Sequence, residues 1–412
     1  MFPEETFMKP KEKPLGLEEA VARIKEQICR ITDTEICPLG EADGRILAED
    51  ITAPIDQPPF PRSPYDGYAI RSADSMGAGP DSPVVLDVAG EVDAGGWPEG
   101  LLAEGQAVRI MTGAPIPEGA DAVIKQEDTD YGEETVRIFR EMGGRENYIY
   151  PGEDYRRGDL LLEKGDFIGP VEAGIIASAG LAEVRVLRRV SAAVISTGDE
   201  LAYPGEALGP GKIYDSNMYT IAAQLKAWGV DVKKMLHLPD DAGSAAKEIE
   251  ALAGKTDMIV TSGGVSVGKK DIMHEVFSML GAERIFWRVG MKPGAAVLAG
   301  RYGKTLILAL SGNPYASYVD LHMIVRPALS EFTGNNRLEM IRGTAVLMDD
   351  FDKKSPVRRF IRATAQDGRV YIDGHTGGNG DISSGRNINA MVDVPAGSDK
   401  LSAGSEVQVI LI

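Results

Sequence analysis

Residues 256–280 read TDMIVTSGGVSVGKKDIMHEVFSML. A short apolar run that reads as a strand passes through Thr261-Ser262 into the glycine loop Gly263-Gly264-Val265-Ser266-Val267-Gly268, and the chain then turns helical near Asp271. Strand, glycine loop and helix start together offer backbone N–H groups to an oxyanion, aided by the helix dipole. The same grammar extends outward over 190–335. VSAAVIST, VDVKKMLHL, RIFWRV, AAVLAG and KTLILAL read as strands; SNMYTIAAQLKAWG, AGSAAKEIEALAG and the long YASYVDLHMIVRPALSEF read as helices. Such alternation predicts an open, doubly wound, mostly parallel α/β sheet over 183–335.

The texture on either side is different. Residues 17–30, LEEAVARIKEQICR, place Leu17, Ala20, Val21, Ile24 and Ile28 at helical spacing. From 51 to 149 short β-rich runs (PVVLDVAG, QAVRIMTG, ADAVIKQED, ETVRIFRE) alternate with Gly, Pro and Asp turns, which predicts an inserted β domain. LLLEKGDFI then reads as strand and VEAGIIASAG as helix, so 150–182 are grouped with 1–50 as one discontinuous domain. Residues 336–412 are β throughout and predict a small C-terminal β barrel. The whole is multidomain, α/β plus β.

Composition narrows the function. The 412 residues carry 44 Lys and Arg against 62 Asp and Glu, a net charge of −18 that repels phosphate backbones and argues against nucleic-acid binding. Two cysteines, Cys29 and Cys37, cannot make a disulfide framework or zinc cluster and fit a reducing compartment. Four histidines, His237, His274, His322 and His375, lack metal-ligand spacing. No apolar run approaches the roughly 20 residues of a membrane span, and the start has no signal-peptide core. The expectation is a cytoplasmic protein.

In an open α/β sheet ligands bind beyond the carboxyl ends of the strands. Those ends carry Thr197-Gly198-Asp199-Glu200, Pro239-Asp240-Asp241, the glycine loop with Asp271, then Gly290-Met291-Lys292-Pro293-Gly294, and Ser311-Gly312-Asn313-Pro314, where the proline suits a helix first turn. Gly263, Gly264, Ser266, Gly268, Gly312 and Asn313 supply two backbone cradles. Nor does the chain carry a Walker A loop, because its Gly-Lys-Thr strings, Gly254-Lys255-Thr256 and Gly303-Lys304-Thr305, both lack the glycine five positions before the Gly-Lys. Asp199, Glu200, Asp215, Asp240 and Asp271 read either as helix caps or as ligands. As ligands they suit a guanidine-like heterocycle edge or Mg²⁺ shared with phosphate oxygens. Arg288, Lys292 and either of Lys269 and Lys270 are the matching cations. In the N-terminal half, SPYDGYAI contains Asp66-Gly67, which a hairpin turn would also explain; MTGAPIPEGADAVI contains Thr112-Gly113; PGEDYRRGD contains Asp154.

Taken in order, SPYDGYA, MTGAPIPEGADAV, GEDYRRGD, STGDEL, KIYDSN, TSGGVSVGKKD, MKPG and SGNP resemble the molybdopterin molybdenumtransferases, the family of MoeA and the C-terminal part of gephyrin. The likeness spans essentially the whole chain. It implies an elongated N-terminal domain, a molybdopterin-binding α/β domain and a homodimer whose cleft lies between the α/β domain of one chain and the N-terminal region of the other. It implies Mg²⁺-dependent use of adenylated molybdopterin and molybdate with release of AMP, and as partners the enzyme that makes the adenylate and the apoproteins that take the cofactor. By motif, Glu200, Asp271 and Lys292 fall on catalytic positions. Asp66, Thr112, Asp154, Asp240, Arg288 and Pro314 join the glycine loops in binding, and Glu200, Asp240 and Asp271 are the Mg²⁺ candidates.

Three strings depart from the family pattern. KPGKP becomes Lys292-Pro293-Gly294-Ala295-Ala296, LPGNP has Ser311 for its first proline, and GHxGS becomes Gly374-His375-Thr376-Gly377-Gly378. Arg358, Arg359 and Arg362 remain as candidate oxyanion ligands. One cation fewer in a dianion site costs about 1–3 kcal/mol. The departures motivate two alternatives, a non-catalytic carrier or scaffold for molybdopterin and a tungstate-preferring variant.

Overall fold

The computed structural model describes residues 13–265, 272–372, 378 and 380–412. Contacts divide the chain into two units, one of residues 36–43 and 47–185, the other of the chain through Glu35, Gly44–Ile46 and Val186–Ile412. In the first unit a five-stranded sheet runs in the order Ala122–Lys125, Gly67–Ile70, Gln106–Ile110, Val84–Val92, Thr135–Ile138. Side chains alternate between two small cores, with Tyr68 and Ile70 on one face and Ala69 on the other. Gly67 opens a strand, so Asp66-Gly67 does not form a hairpin turn; a Cβ on Gly67 would fall 1.9 Å from the Ile124 carbonyl oxygen. The LLLEKGDFI run is strand only over Leu160–Leu162, paired with Ile51–Thr52, before the helix Pro170–Ser178.

The second unit begins with the helix Leu17–Lys25, acidic at its start, basic at its end, and buried through Leu17, Ala20 and Ile24. It stops five residues before the sequence period does. The Gln27 and Ile28 N–H groups bond the carbonyls three residues back, at 3.0 and 3.1 Å, so the backbone tightens while Ile28 still packs on the core. The period reports burial there, not helix.

The α/β sheet has strands β1 Ser191–Thr197, β2 Asp231–Leu238, β3 Met258–Ser262, β4 Glu283–Trp287, β5 Leu298–Tyr302 and β6 Thr305–Leu310, in the order β2-β1-β3-β6-β5-β4. The β2-β1-β3-β6 pairs are parallel, whereas β5 is antiparallel to both β6 and β4. Its strands alternate between two cores. Val194, Val260 and Leu308 face the helices Leu17–Lys25, Asn217–Ala227 and the long helix from Pro314 to Thr333, which carries a π-helical turn at Leu321–Val325. Ile195, Ile259 and Ile307 face Ala242–Leu252 and Ile272–Leu280. A sheet covered on both faces explains the unbroken apolar runs.

The C-terminal strands close into a five-stranded barrel, Arg358–Gln366, Arg369–Ile372, Ile341–Leu347, Glu406–Leu411, Ala390–Val394 and back to the first. Met291–Lys292 is appended to it, alongside Arg358 and Arg359.

The amino ends of β1 and β3 are tied by one carboxylate. Asp257 accepts the Ser191 N–H and hydroxyl, each at 2.8 Å, and a bidentate pair from Arg188 at 2.7 and 2.9 Å. Burial raises its pKa, but the Arg188 and Ser191 bonds outweigh it and leave the carboxyl below its ordinary value. That contribution to stability is present above the unfolded pKa near 4 and is lost as pH falls through the lower folded value. Asp257→Asn should therefore lower stability in urea by about 2–3 kcal/mol at pH 7, with the deficit shrinking below about pH 4.

Candidate active site

The carboxyl edge of the sheet is built on a backbone-to-backbone contact. β3 ends at Ser262 and the chain turns through Gly263, with φ of +94°. A Cβ there would lie 2.4 Å from the Thr197 carbonyl oxygen at the end of β1. On the other side Gly312, just beyond β6, comes within 3.4 Å of the Gly263 Cα by the same measure. The Gly263 N–H donates to the Leu310 carbonyl at 3.3 Å. A side chain at Gly263 would force the strand ends apart, whereas one at Gly312 would make only an ordinary contact.

Asn217 staples the two loops together. Its amide Nδ2 donates to Ser262 Oγ and to the Gly312 carbonyl, both at 2.7 Å. Beneath it, the buried Asp215 accepts the Ser196 hydroxyl and, at 3.1 Å, the Met218 N–H at the start of the Asn217–Ala227 helix. Asp215 is therefore a helix cap with a second, buried donor. Around this frame opens a cleft of about 720 Å³, walled by the glycine loops, the 198–201 turn, Tyr214 and residues 294–296.

The cleft brings together Glu200, Asp240, Gly263, Gly264, Gly312, Asn313 and Pro314. Asp240 is spared capping because its neighbour does that work, the Asp241 carboxylate accepting the Ser244 N–H at 2.7 Å. Asp240 and Asp199 bond each other's backbone N–H groups at 3.2 and 3.4 Å, which holds the two turns side by side. Pro314 occupies the helix first turn as its position suggests. Ser266, Gly268, Lys269, Lys270, Asp271 and His375 lie outside the described residues.

Two predicted cations do not line the cleft. Arg288 adopts φ of +72° with its guanidinium 5.7 Å from the Trp287 ring centre, and Lys292 is exposed where the chain joins the barrel. Ala295 and Ala296, by contrast, do line it. Of the barrel arginines, Arg358 is engaged by Asp393 and Glu18, and Arg359 reaches Ser355. Arg362 stacks 3.9 Å over the Tyr315 ring and donates to the Asp381 carbonyl at 3.0 Å, in a turn whose Gly380 touches the cleft.

In the other unit, Asp66 accepts both the N–H and the hydroxyl of Thr112 at 2.7 Å. The Thr112 hydroxyl and N–H hold its carboxyl below the ordinary range. Asp154, in the same unit, is exposed in the 151–159 turn. Among the described residues no three His, Cys, Asp or Glu side chains converge as a metal cage, and no helix is long and apolar enough to cross a membrane.

Three family models match successive parts of the chain: the MoeA N-terminal region (domain I and II) over 15–180, a probable molybdopterin binding domain over 193–331, and the MoeA C-terminal region (domain IV) over 344–412. The molybdopterin molybdenumtransferase of Staphylococcus epidermidis is 36% identical over 404 residues, 97% of this chain and 96% of the relative. That of Staphylococcus aureus is 36% identical over 406 residues with the same coverage. A crystal structure of the molybdopterin biosynthesis MoeA protein from Pyrococcus horikoshii superposes with a TM-score of 0.81 at 29% identity, covering 97% of this chain and 100% of that one. The chain belongs to the molybdopterin molybdenumtransferase family. It is thereby a transferase of molybdenum cofactor biosynthesis, and the carboxyl-edge cleft lies within the segment matched as the molybdopterin-binding domain.

One residue of this family member gave no sequence signal. Asp320, in the long helix, is fully buried; its Oδ2 accepts the Ser311 N–H at 2.9 Å and its Oδ1 has no hydrogen-bond partner among the described residues. A Cβ on Gly294, where φ is +91°, would sit 2.1 Å from that Oδ1. Ser311 Oγ also donates to the Ala296 carbonyl at 3.2 Å, so Ser311 and Asp320 join the SGNP and MKPGAA loops. Burial pushes the Asp320 carboxyl well above its ordinary range, against the pull of the Ser311 bond. A raised folded pKa means that its contribution is whole below about pH 4 and is lost as pH rises toward the folded value. Asp320→Asn, which keeps the shape and removes the ionisation, should melt higher than wild type at pH 7, the gap narrowing toward pH 4. Thermal melts across that range test it.

Proposed function

We propose that this transferase inserts molybdate into adenylated molybdopterin with Mg²⁺ and releases AMP. The observation that carries the reading is that the glycine loops of Gly263, Gly264 and Gly312 line one cleft together with Glu200 and Asp240. Glycine-loop backbone and carboxylates in one cleft suit a ligand that is anionic at one end and a hydrogen-bond donor at the other. Adenylated molybdopterin has that character, with a phosphoanhydride and an amino-pterin edge.

Glu200 and Asp240 are a hard oxygen pair of the kind that holds Mg²⁺ by one or two carboxylates, with phosphate oxygens and water filling the shell. There the ion would neutralise charge on the phosphoanhydride as AMP departs. The glycine loops hold the phosphates by peptide N–H groups, and Asn217 fixes the spacing between them. Molybdate is a dianion that must lie beside two thiolates, so the charge of the nearby wall governs its binding.

The wall at 294–296 is where this chain is poor in charge, since Ala295 stands where the family pattern has lysine. That observation favours the second reading, a carrier that binds molybdopterin without inserting metal. We further propose a cytoplasmic homodimer in which Asp66, Thr112 and Asp154 of the second chain complete the cleft, fed by the enzyme that makes the adenylate and drained by apoproteins that take the cofactor. The ionised Asp66, already fixed by Thr112, suits a pterin amine or a cation.

AMP release from adenylated molybdopterin, measured with purified protein, Mg²⁺ and titrated molybdate, decides between the readings. Molybdate-dependent release that falls at least tenfold in Glu200→Gln and Asp240→Asn is the expected result. Tight binding of the adenylate with no release at any molybdate or tungstate concentration would leave the carrier reading in its place. In the same assay Ala295→Lys should lower the molybdate KM about tenfold, the worth of one added charge-assisted contact of about 1.4 kcal/mol.

A further inference from the structure

The amino edge of the same sheet holds a second cleft, of about 690 Å³. Two Gly-Lys-Thr tripeptides meet there, residues 254–256 before β3 and 303–305 in the β5–β6 turn. Both glycines are left-handed, at φ +75° and +61°, so each chain reverses tightly and leaves its lysine on the turn. One hydroxyl clamps the turns together. Thr305 Oγ1 donates to the Thr256 carbonyl at 2.7 Å and accepts the Gly254 N–H at 2.9 Å. Lys255 and Lys304 therefore rise from adjacent, mutually fixed turns on the cleft wall.

The charges there do not cancel. Asp257 is taken by Arg188, which also reaches Asp33 at 3.1 Å; Asp231 is paired with Lys233, and Glu35 with Arg45. Arg189, Lys255 and Lys304 remain, and no described carboxylate lies within ion-pair distance of any of them. Arg189 instead donates to the Gly229 carbonyl at 3.1 Å. One concavity of a chain with net charge −18 thus presents the exposed Lys255 and Lys304 with the half-buried Arg189, a local positive field that favours an anion. The half-buried ring of Tyr302 lines the same cleft beside the lysines, a flat surface for an aromatic group.

We propose that this amino-edge cleft is a second ligand site, for a small phosphate compound of two or more negative charges. It is separate from the transferase cleft, because β1 spans the sheet between the two edges and is about 20 Å long at roughly 3.3 Å per residue. Lys255, Lys304 and Arg189 hold the phosphates, and Tyr302 takes the base where the compound is a nucleotide.

Calorimetric titration of the full-length protein with inorganic pyrophosphate and with ADP tests it. The expected result is saturable binding that weakens with salt and falls at least tenfold in the Lys255→Glu, Lys304→Glu double variant, with melting temperature and AMP release unchanged. Tyr302→Ala then separates the two sources of phosphate: a loss for ADP alone identifies a nucleotide site, and equal binding of both probes a polyphosphate site. No saturable binding of either probe, or binding that the double variant leaves intact, overturns the proposal. A second double variant, Lys255→Gln with Lys304→Gln, removes the charge without reversing it and guards against misfolding as the cause.

Discussion

The site rests on the absence of a side chain at Gly263. Three neighbouring parallel strands, apolar on both faces, end side by side, and their chains must leave the sheet through the same small space. Only bare backbone fits where Gly263 meets the Thr197 carbonyl. The consequence is chemical as well as steric. Backbone that close to the strand ends puts bare peptide at the edge, where the polar residues after β1, β2 and β6 converge on the same opening. Asn217 then converts proximity into rigidity, since a single amide grips a hydroxyl from one loop and a carbonyl from the other.

Much of this was legible in the sequence because each signal was local. Alternating apolar runs and helices named the sheet, and turn glycines marked the two cradles. The barrel followed from strand-like runs after residue 340. What the sequence did not carry was the direction of side chains set by distant pairings. Lys292 and Arg288 follow β4, which reaches the sheet only through the antiparallel β5, and the next residues are drawn off by the barrel strand at Arg358. Arg358 looked available as an oxyanion ligand because Asp393 and Glu18 are 35 and 340 residues away in sequence. Asn217 was hidden for the opposite reason: beside Asp215 it looked like one more helix-start residue, and its two acceptors lie on other strands. At the N-terminus the helical period outlasted the helix, because burial of Ile28 does not require it.

The two edges of the sheet divide the charge. Carboxylates collect at the carboxyl edge, where Glu200 and Asp240 face the glycine loops, and unneutralised cations collect at the amino edge around Lys255 and Lys304. Parallel topology makes this division possible, since turns at the amino edge are helix-to-strand or hairpin connections, whereas those at the other edge are strand-to-helix except for the 288–297 link from β4 to the antiparallel β5. A net charge of −18 therefore describes neither edge. The fields that matter to a bound anion are set within a few ångströms by which ion pairs are already closed.

The departures from the family pattern do not all weigh the same. Proline at position 311 would have no N–H, and a buried Asp320 would then lose its backbone donor. With serine there, the N–H goes to Asp320 and the hydroxyl goes to Ala296, so the SGNP loop gains two links to the loop that carries Gly294. Removing the carboxyl while keeping the serine would strand a buried N–H, which is also costly. In this chain Ser311 and Asp320 thus form a hydrogen-bonded tie where the family pattern has a rigid proline. Ala295 has no such counterpart: it lines the cleft, and no described cation on the cleft wall stands in for a lysine there. The first change preserves the frame of the site, and the second alters the charge an incoming oxyanion meets.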